Sequence, residues 1–379
     1  AKVIADNINM ACNERNIDYH VSARYLLESE EYQAERVVDK YLENLAVDNL
    51  QLVDEIEEFL MIYDLTDKKR SIYEKIGDLY KEIKDYYKSY TYYIKAFESI
   101  RKDNIDDMAA ILILKLSNCC KLNHKYKEAL EFCKLPLKNE SFISMDIKLE
   151  LLLNKAEILM LLKEYDSSLD EIESIEEFNE ELSEEYLFTL NMLKGQCYRE
   201  NRYYRDALEV YKSLKEGAGS LDKSKILCIN INIIGIYILL RDNRNIRKHI
   251  DESLVLISSN RQLYKEKHGA EIFSGLAKGF KFISEDERAA EYYNHAIYSA
   301  KRNKQYEILT DALENLFEIF EKKKALHEVD NIKNELLELI STNAINNDNT
   351  LIFKVIGFYN AMDDKESIEG IVSFILNHQ

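Results

Sequence analysis

Asn118, Asn154, Asn191, Asn232 and Asn315 recur along a chain of 379 residues, with Gln196, Arg199 and Lys278 in neighbouring positions. An Asn side chain carries both a donor and an acceptor, so it can pair with the main chain of an extended polypeptide. Asn is also a mediocre helix former. Its use inside helical stretches therefore needs either a binding reason or an Asn-rich composition that scatters it, and the five do not share one repeat position. Arg199 and Lys278 offer charge-assisted bonds to a carboxylate. Catalytic chemistry finds no comparable support: no GxSxG, HExxH, P-loop or GxGxxG pattern occurs. The seven histidines are scattered, with none paired at i, i+3 or i+4. Carboxylates are too abundant for any two to stand out as acid and base, and runs such as Glu171–Glu185 read as solvated helix faces. The chain reads as a binding protein, not an enzyme, with no metal and no cofactor.

The elements that must position these residues are clearest at 70–100, RSIYEKIGDLYKEIKDYYKSYTYYIKAFESI. Its pattern predicts two amphipathic helices with a short turn near Lys84–Asp85. Gly77, Ser89 and Ala96 are small, and Tyr73, Tyr80 and Tyr93 are large. Small residues let two antiparallel helices approach, and large ones fill the surrounding grooves. The frame recurs at Gly77, Ser117, Ala156, Gly195, Gly235, Ala277, Phe317 and Gly357, at successive steps of 40, 39, 39, 40, 42, 40 and 40 residues. Each of the five asparagines falls within a turn of its repeat's anchor, on the first helix.

The large-small-large order resembles the tetratricopeptide repeat, whose usual period is about 34 residues. That resemblance covers residues 70–379, within a repeat domain expected over 67–379. It implies an all-α, right-handed superhelical tetratricopeptide-like solenoid of about eight helical hairpins, with the first helices lining the concave face. Repeat four matches well, with Gly195 and Ala207 facing each other. Repeat five keeps Gly235 but carries Arg247 at its second small position, so its helices should pack less closely or splay. Repeat seven places bulky Phe317 in the small position, and a short helix ending at Asn377 reads as a terminal cap. Gly275 and Gly279 form a GxxxG, which carries little meaning in a soluble helix.

Composition agrees with a nearly all-helical chain: one Pro, ten Gly, and 51 cationic against 69 acidic residues, a net charge of −18. Such a surface repels phosphate backbones, so these residues alone are poor nucleic-acid binders. No run of eighteen apolar residues suggests a membrane span, and no signal segment opens the chain. The six cysteines form no CxxC pair, which reads as reduced, buried thiols in a cytoplasmic protein.

At the N-terminus, KVIADNI resembles the last helix of a lambda-repressor-like helix-turn-helix domain, and VSARYLLES at 21–29 resembles the tail that follows it. Residues 11–20 interrupt that pattern. Residues 1–19 are thus expected to be a remnant of a helix-turn-helix domain. Residues 20–66 are expected to be linker helices (30–47 and 50–63) or a degenerate first repeat. Together with the repeats and the acidic body, this resembles the RRNPP family of Gram-positive peptide-pheromone receptors, nearest its transcription-factor branch. The resemblance implies a cytoplasmic quorum-sensing receptor that binds a short signalling peptide in its groove. Peptide-binding residues would be Asn118, Asn154, Asn191, Gln196, Arg199, Asn232, Lys278 and Asn315. It also implies a homodimer, and regulation through DNA bound by the helix-turn-helix domain that is largely absent here. Two other readings stay open: a Rap-like inhibitor of a response regulator, and a generic repeat adaptor for protein complexes.

Overall fold

The computed structural model describes residues 2–14, 30–62, 66–100, 105–138, 143–178, 182–217, 222–260, 262–342 and 350–377. Among these residues there are α-helices, two short 3-10 turns and no strand, as the all-α expectation required. The stretch 21–29 and most of the loops at 216–220 and 343–350 lie outside the described residues. The chain forms two compact units, Ala1–Glu184 and Glu185–Gln379.

The first unit contains α1 (Lys2–Glu14), α2 (Glu30–Asn44), α3 (Leu52–Ile62), α4 (Thr66–Glu82), α5 (Tyr86–Glu98), α6 (Asp107–Leu122), α7 (Tyr126–Leu137), α8 (Met145–Leu161) and α9 (Tyr165–Glu176). The opening helix runs to Glu14, through the first part of the expected interruption. The second unit contains α10 (Glu184–Glu200), α11 (Tyr204–Glu216), α12 (Lys223–Leu239), α13 (Asn243–Ser258), α14 (Gly269–Phe282), α15 (Asp286–Arg302), α16 (Tyr306–Lys323), α17 (Leu326–Ser341), α18 (Thr350–Ala361) and α19 (Lys365–Asn377). From α4 onward the helices pair as hairpins. Within each unit a first helix packs on its own second helix, on the preceding second helix and on neighbouring first helices. The second unit buries one continuous apolar cluster from Ala207 to Ile371. The first unit divides its buried residues among smaller clusters.

Every hairpin turn is built the same way. One residue takes a left-handed conformation: Lys84, His124, Lys163, Arg202, Arg241, Ser284, Lys324 and Asp363 in the eight hairpins. The residue after it donates its N–H to the carbonyl five positions back, as in Asp85 to Tyr80 at 2.9 Å, Tyr203 to Tyr198 at 2.8 Å and Asp242 to Tyr237 at 2.9 Å. This is the Schellman closure, which satisfies carbonyls orphaned at a helix end. Glycine is the usual residue there, yet no hairpin uses one. At Asp85 and Asp242 the same residue also caps the next helix through its carboxylate, accepting from Lys88 and Asn245 backbone N–H groups. One residue thus ends one helix and starts the next.

These turns fix the register independently of any glycine, and they correct it in two repeats. The left-handed residue lies seven positions after Gly77, Ser117, Ala156, Gly195, Ala277 and Phe317, but only six after Gly235 and Gly357. The equivalents in repeats five and eight are Ile234 and Ile356, one residue earlier. Twelve residues on from Ile234 stands Ile246, not Arg247, and both isoleucines are fully buried. Repeat five therefore fills its interhelix seam with two large residues. Arg247 points outward, paired with Glu285 of the following hairpin. The longer step into repeat six comes from the extra 3-10 turn at Leu263–Lys265.

Where a glycine does hold the anchor, its missing side chain admits a tyrosine. A Cβ at Gly77 would stand 2.6 Å from the Tyr93 ring, and one at Gly195 2.5 Å from the Tyr211 ring. The partner that presses on Gly195 is thus Tyr211, one turn beyond the fully buried Ala207. Serines stitch the same seam: Ser89 Oγ donates to the Gly77 carbonyl at 2.9 Å, and Ser168 Oγ to the Ala156 carbonyl at 2.7 Å. The GxxxG of α14 carries more than its spacing suggested. A Cβ at Gly275 would meet Ile231 of α12 at 2.0 Å, and one at Gly279 would meet Ile234 and Ile250 at 3.1 Å. Both glycines let α14 settle against repeat five.

A candidate ligand cleft in the second unit

The first helices of repeats five to seven enclose a cleft of about 390 Å³. Helix α12 supplies Ile231, Asn232, Gly235 and Ile238, a spacing that keeps them on one face. Helix α14 supplies Glu271, Ser274, Gly275 and Lys278; α16 supplies Glu307, Ile308 and Asp311; and Arg199 reaches in from the end of α10. The lining joins three isoleucines and two glycines to seven polar side chains.

The polar groups are held by local bonds. Arg199 Nη1 donates to Asn232 Oδ1 at 3.3 Å, and its guanidinium also pairs with Glu200 at 2.8 Å. Tyr211 donates to the same Asn232 oxygen at 3.4 Å. The Asn232 amide nitrogen donates to the Cys228 carbonyl one turn back at 2.9 Å, which fixes the side chain with its acceptor forward. Lys278 Nζ pairs with Asp311 Oδ2 at 2.9 Å, and both side chains are nearly half exposed, at 46% and 44%. Glu271 faces His268 at 3.2 Å, and that hydrogen bond is the main reason the His268 imidazole titrates above its ordinary value.

Of the eight residues singled out from sequence, Arg199, Asn232 and Lys278 come together here. The others are placed differently. Asn315 sits on α16 with its amide on the Asp311 carbonyl at 2.9 Å, and its oxygen accepts from Lys281 at 3.0 Å. Lys281 also pairs with Glu318 at 2.6 Å. Asn191 donates to the Leu187 carbonyl at 2.9 Å, and Gln196 is half-buried beside Gly195. Asn118 and Asn154 belong to the first unit. Asn118 is half-buried, whereas Asn154 is only 5% exposed. Its amide donates to Ser117 Oγ at 3.1 Å and Cys133 Sγ at 3.3 Å, while its oxygen accepts from Lys121 at 2.9 Å. Lys121 also pairs with Glu157. The Lys121–Asn154–Glu157 and Lys281–Asn315–Glu318 clusters are the same device in two places: a lysine of one first helix clamps an Asn and a Glu, three residues apart, on the next.

Sequence reasoning missed the isoleucines of the cleft, Ile231, Ile238 and Ile308. The signal for the first two was present in α12, KSKILCININIIGIYIL, which is apolar on every side. A helix with only one face to bury does not need isoleucines all round. Gly235, the expected packing anchor of repeat five, lines the cleft instead. The cysteines are free, five of them buried, and burial pushes the Cys120 and Cys228 thiols up to about 12. Among the described residues no group of three or more His, Cys, Asp or Glu could hold a metal ion, and no helix is long and apolar enough to cross a membrane.

No family model matches the chain, and no curated protein matches it by sequence. Solved structures do. The apo form of the quorum sensor NprR from B. thuringiensis superposes with a TM-score of 0.53 at 16% identity, covering 92% of this chain and 99% of that one. NprR in complex with its cognate peptide NprX gives 0.52 at 17%, covering 87% and 98%. A tetratricopeptide repeat protein from Parabacteroides merdae gives 0.52 at 12%, covering 76% and 98%. Apo RapI gives 0.50 at 15%, covering 74% and 96%. At these identities the likeness shows the fold, and the fold is the stack of tetratricopeptide-like helical hairpins that these structural neighbours share.

Proposed function

We propose that the chain is a receptor for a short peptide, bound in the cleft between α12, α14 and α16. The observation that carries the reading is the convergence of Arg199, Asn232 and Lys278 in one cleft with Ile231, Ile238 and Ile308. An extended peptide presents main-chain groups every ~3.3 Å. The Asn232 oxygen can exchange one of its long bonds, from Arg199 at 3.3 Å or Tyr211 at 3.4 Å, for one of the peptide N–H groups. Lys278 and Asp311 are partly exposed, and such a pair is worth only about 0–1 kcal/mol. A peptide carboxylate can therefore take Lys278 from Asp311 at small cost. A structural neighbour has been solved with its cognate peptide, and this supports the choice of ligand class.

The reading extends to a cytoplasmic quorum-sensing regulator, acting as a dimer on transcription through a helix-turn-helix domain whose last helix Lys2–Ile8 resembles. The test is affinity selection of a random heptapeptide library on immobilised protein, with retained peptides identified by mass spectrometry. Wild type should enrich a defined set, and Asn232→Ala with Lys278→Ala should lose it. Enrichment of nothing by wild type would move the reading to a repeat adaptor for larger partners.

A further inference from the structure

The structure gives Gly235 no internal reason to be glycine. It sits inside α12, where glycine is the poorest helix former after proline. No glycine of the described residues has a positive φ, so the backbone does not require it. Packing does not require it either. Gly195 admits Tyr211 and Gly275 admits Ile231, but beyond the surrounding turns of its own helix backbone no described atom lies within 4 Å of where a Gly235 Cβ would stand. The turn register explains this: Gly235 is one residue past the interhelix seam, on the side that lines the cleft. Glycine inside an element commonly marks the place where a ligand approaches the backbone.

We infer that Gly235 is a specificity-determining residue of the cleft, where an apolar side chain of the bound peptide lies against the α12 backbone. Its flanks are Ile231 and Ile238, four residues before and three after on the same helix face. The third aliphatic wall residue is Ile308. The group that seats there is therefore aliphatic or aromatic, while Asn232 and Lys278 engage the peptide's polar atoms. This rests on the peptide reading above.

The experiment repeats the heptapeptide selection on wild type, Gly235→Ala, Gly235→Leu and, as a control outside the cleft, Gly357→Leu. The best wild-type peptide is then synthesised and titrated by calorimetry against all four. Wild-type peptides should share a bulky apolar residue at one position. Gly235→Ala should weaken binding by about 10-fold or more, the loss expected when one apolar group no longer seats. Gly235→Leu should abolish binding or shift the enriched set to Gly or Ala at that position. Neither variant should lower the melting temperature, and Gly357→Leu should bind like wild type. Unchanged affinity and unchanged selection by Gly235→Leu overturn the assignment of Gly235 and leave the peptide reading standing. Failure of wild type to enrich any peptide overturns both.

Discussion

Two chemically identical substitutions should move stability in opposite directions. Gly195→Ala would place a methyl 2.5, 2.6 and 2.9 Å from three carbons of the Tyr211 ring. That is about 1 Å inside the ~3.5–4.0 Å optimum for carbon contacts. Tyr211 is fully buried within the continuous core of the second unit, so the ring has little room to retreat. Overpacking of this kind costs about 1–3 kcal/mol. Alanine returns about 1 kcal/mol through its better helix propensity, leaving a net loss of roughly 0–2 kcal/mol. Gly235→Ala meets nothing beyond its own helix backbone and keeps the whole gain of about 1 kcal/mol. Because the propensity cancels between the two, their difference isolates the packing contribution, about 1–3 kcal/mol. Urea denaturation followed by circular dichroism reads it directly. Equal midpoints for the two variants, or a less stable Gly235→Ala, would refute the one-residue register difference between repeats four and five.

Burial holds the His249 imidazole down to about 4, against the pull of Glu252, while stacking on Tyr237 encloses it. The unfolded chain then takes up its proton first, so stability should fall as pH drops from about 6.5 towards 4, by up to about 1.4 kcal/mol per unit. His249→Phe should flatten that window in denaturation midpoints, and parallel profiles would rule the coupling out. The left-handed turn residues Lys163 and Arg202 forgo glycine at roughly 1–2 kcal/mol of backbone cost. Changing either to Gly should raise stability by about 0.5–1 kcal/mol once the looser unfolded chain is counted, which thermal melts would register. Asn154→Ala strips a buried partner from Ser117 and Lys121, and should cost about 1–3 kcal/mol. A surface-like change under 0.5 kcal/mol would show that the clamp is weak.

The sequence was legible where one residue's size decided the packing. The near-forty-residue period shows because a small anchor recurs in repeats one to four and six, and the hairpins lie where that period put them. It misled where glycine served another purpose. Gly235 and Gly357 fall almost in phase with the true anchors, and a one-residue error is invisible to a count but turns a helix face by about 100°. The turns carry the phase, but their left-handed residues are lysine, arginine, histidine, serine and aspartate, which announce nothing. The GxxxG of α14 was discounted because its partner, Ile231, lies a whole repeat away.

The asparagines show why a polar pattern alone does not define a site. Asn154 and Asn315 stand two positions before their anchors, and each is clamped by a lysine from the preceding first helix. Asn232 stands two before the corrected anchor Ile234, the same position once the register is set, and its acceptor likewise takes a cation from the preceding repeat, Arg199. The shared position thus has a shared structural use. What separates Asn232 is its surroundings. Asn154 is shut between helices beside Cys133, whereas Asn232 borders open space over Gly235. Its 3.3 Å bond to Arg199 is longer than the lysine clamps at 2.9 and 3.0 Å. Under the proposed peptide reading, this Asn, used elsewhere to join repeats, is the one the ligand would recruit, because a neighbouring glycine leaves room to reach it.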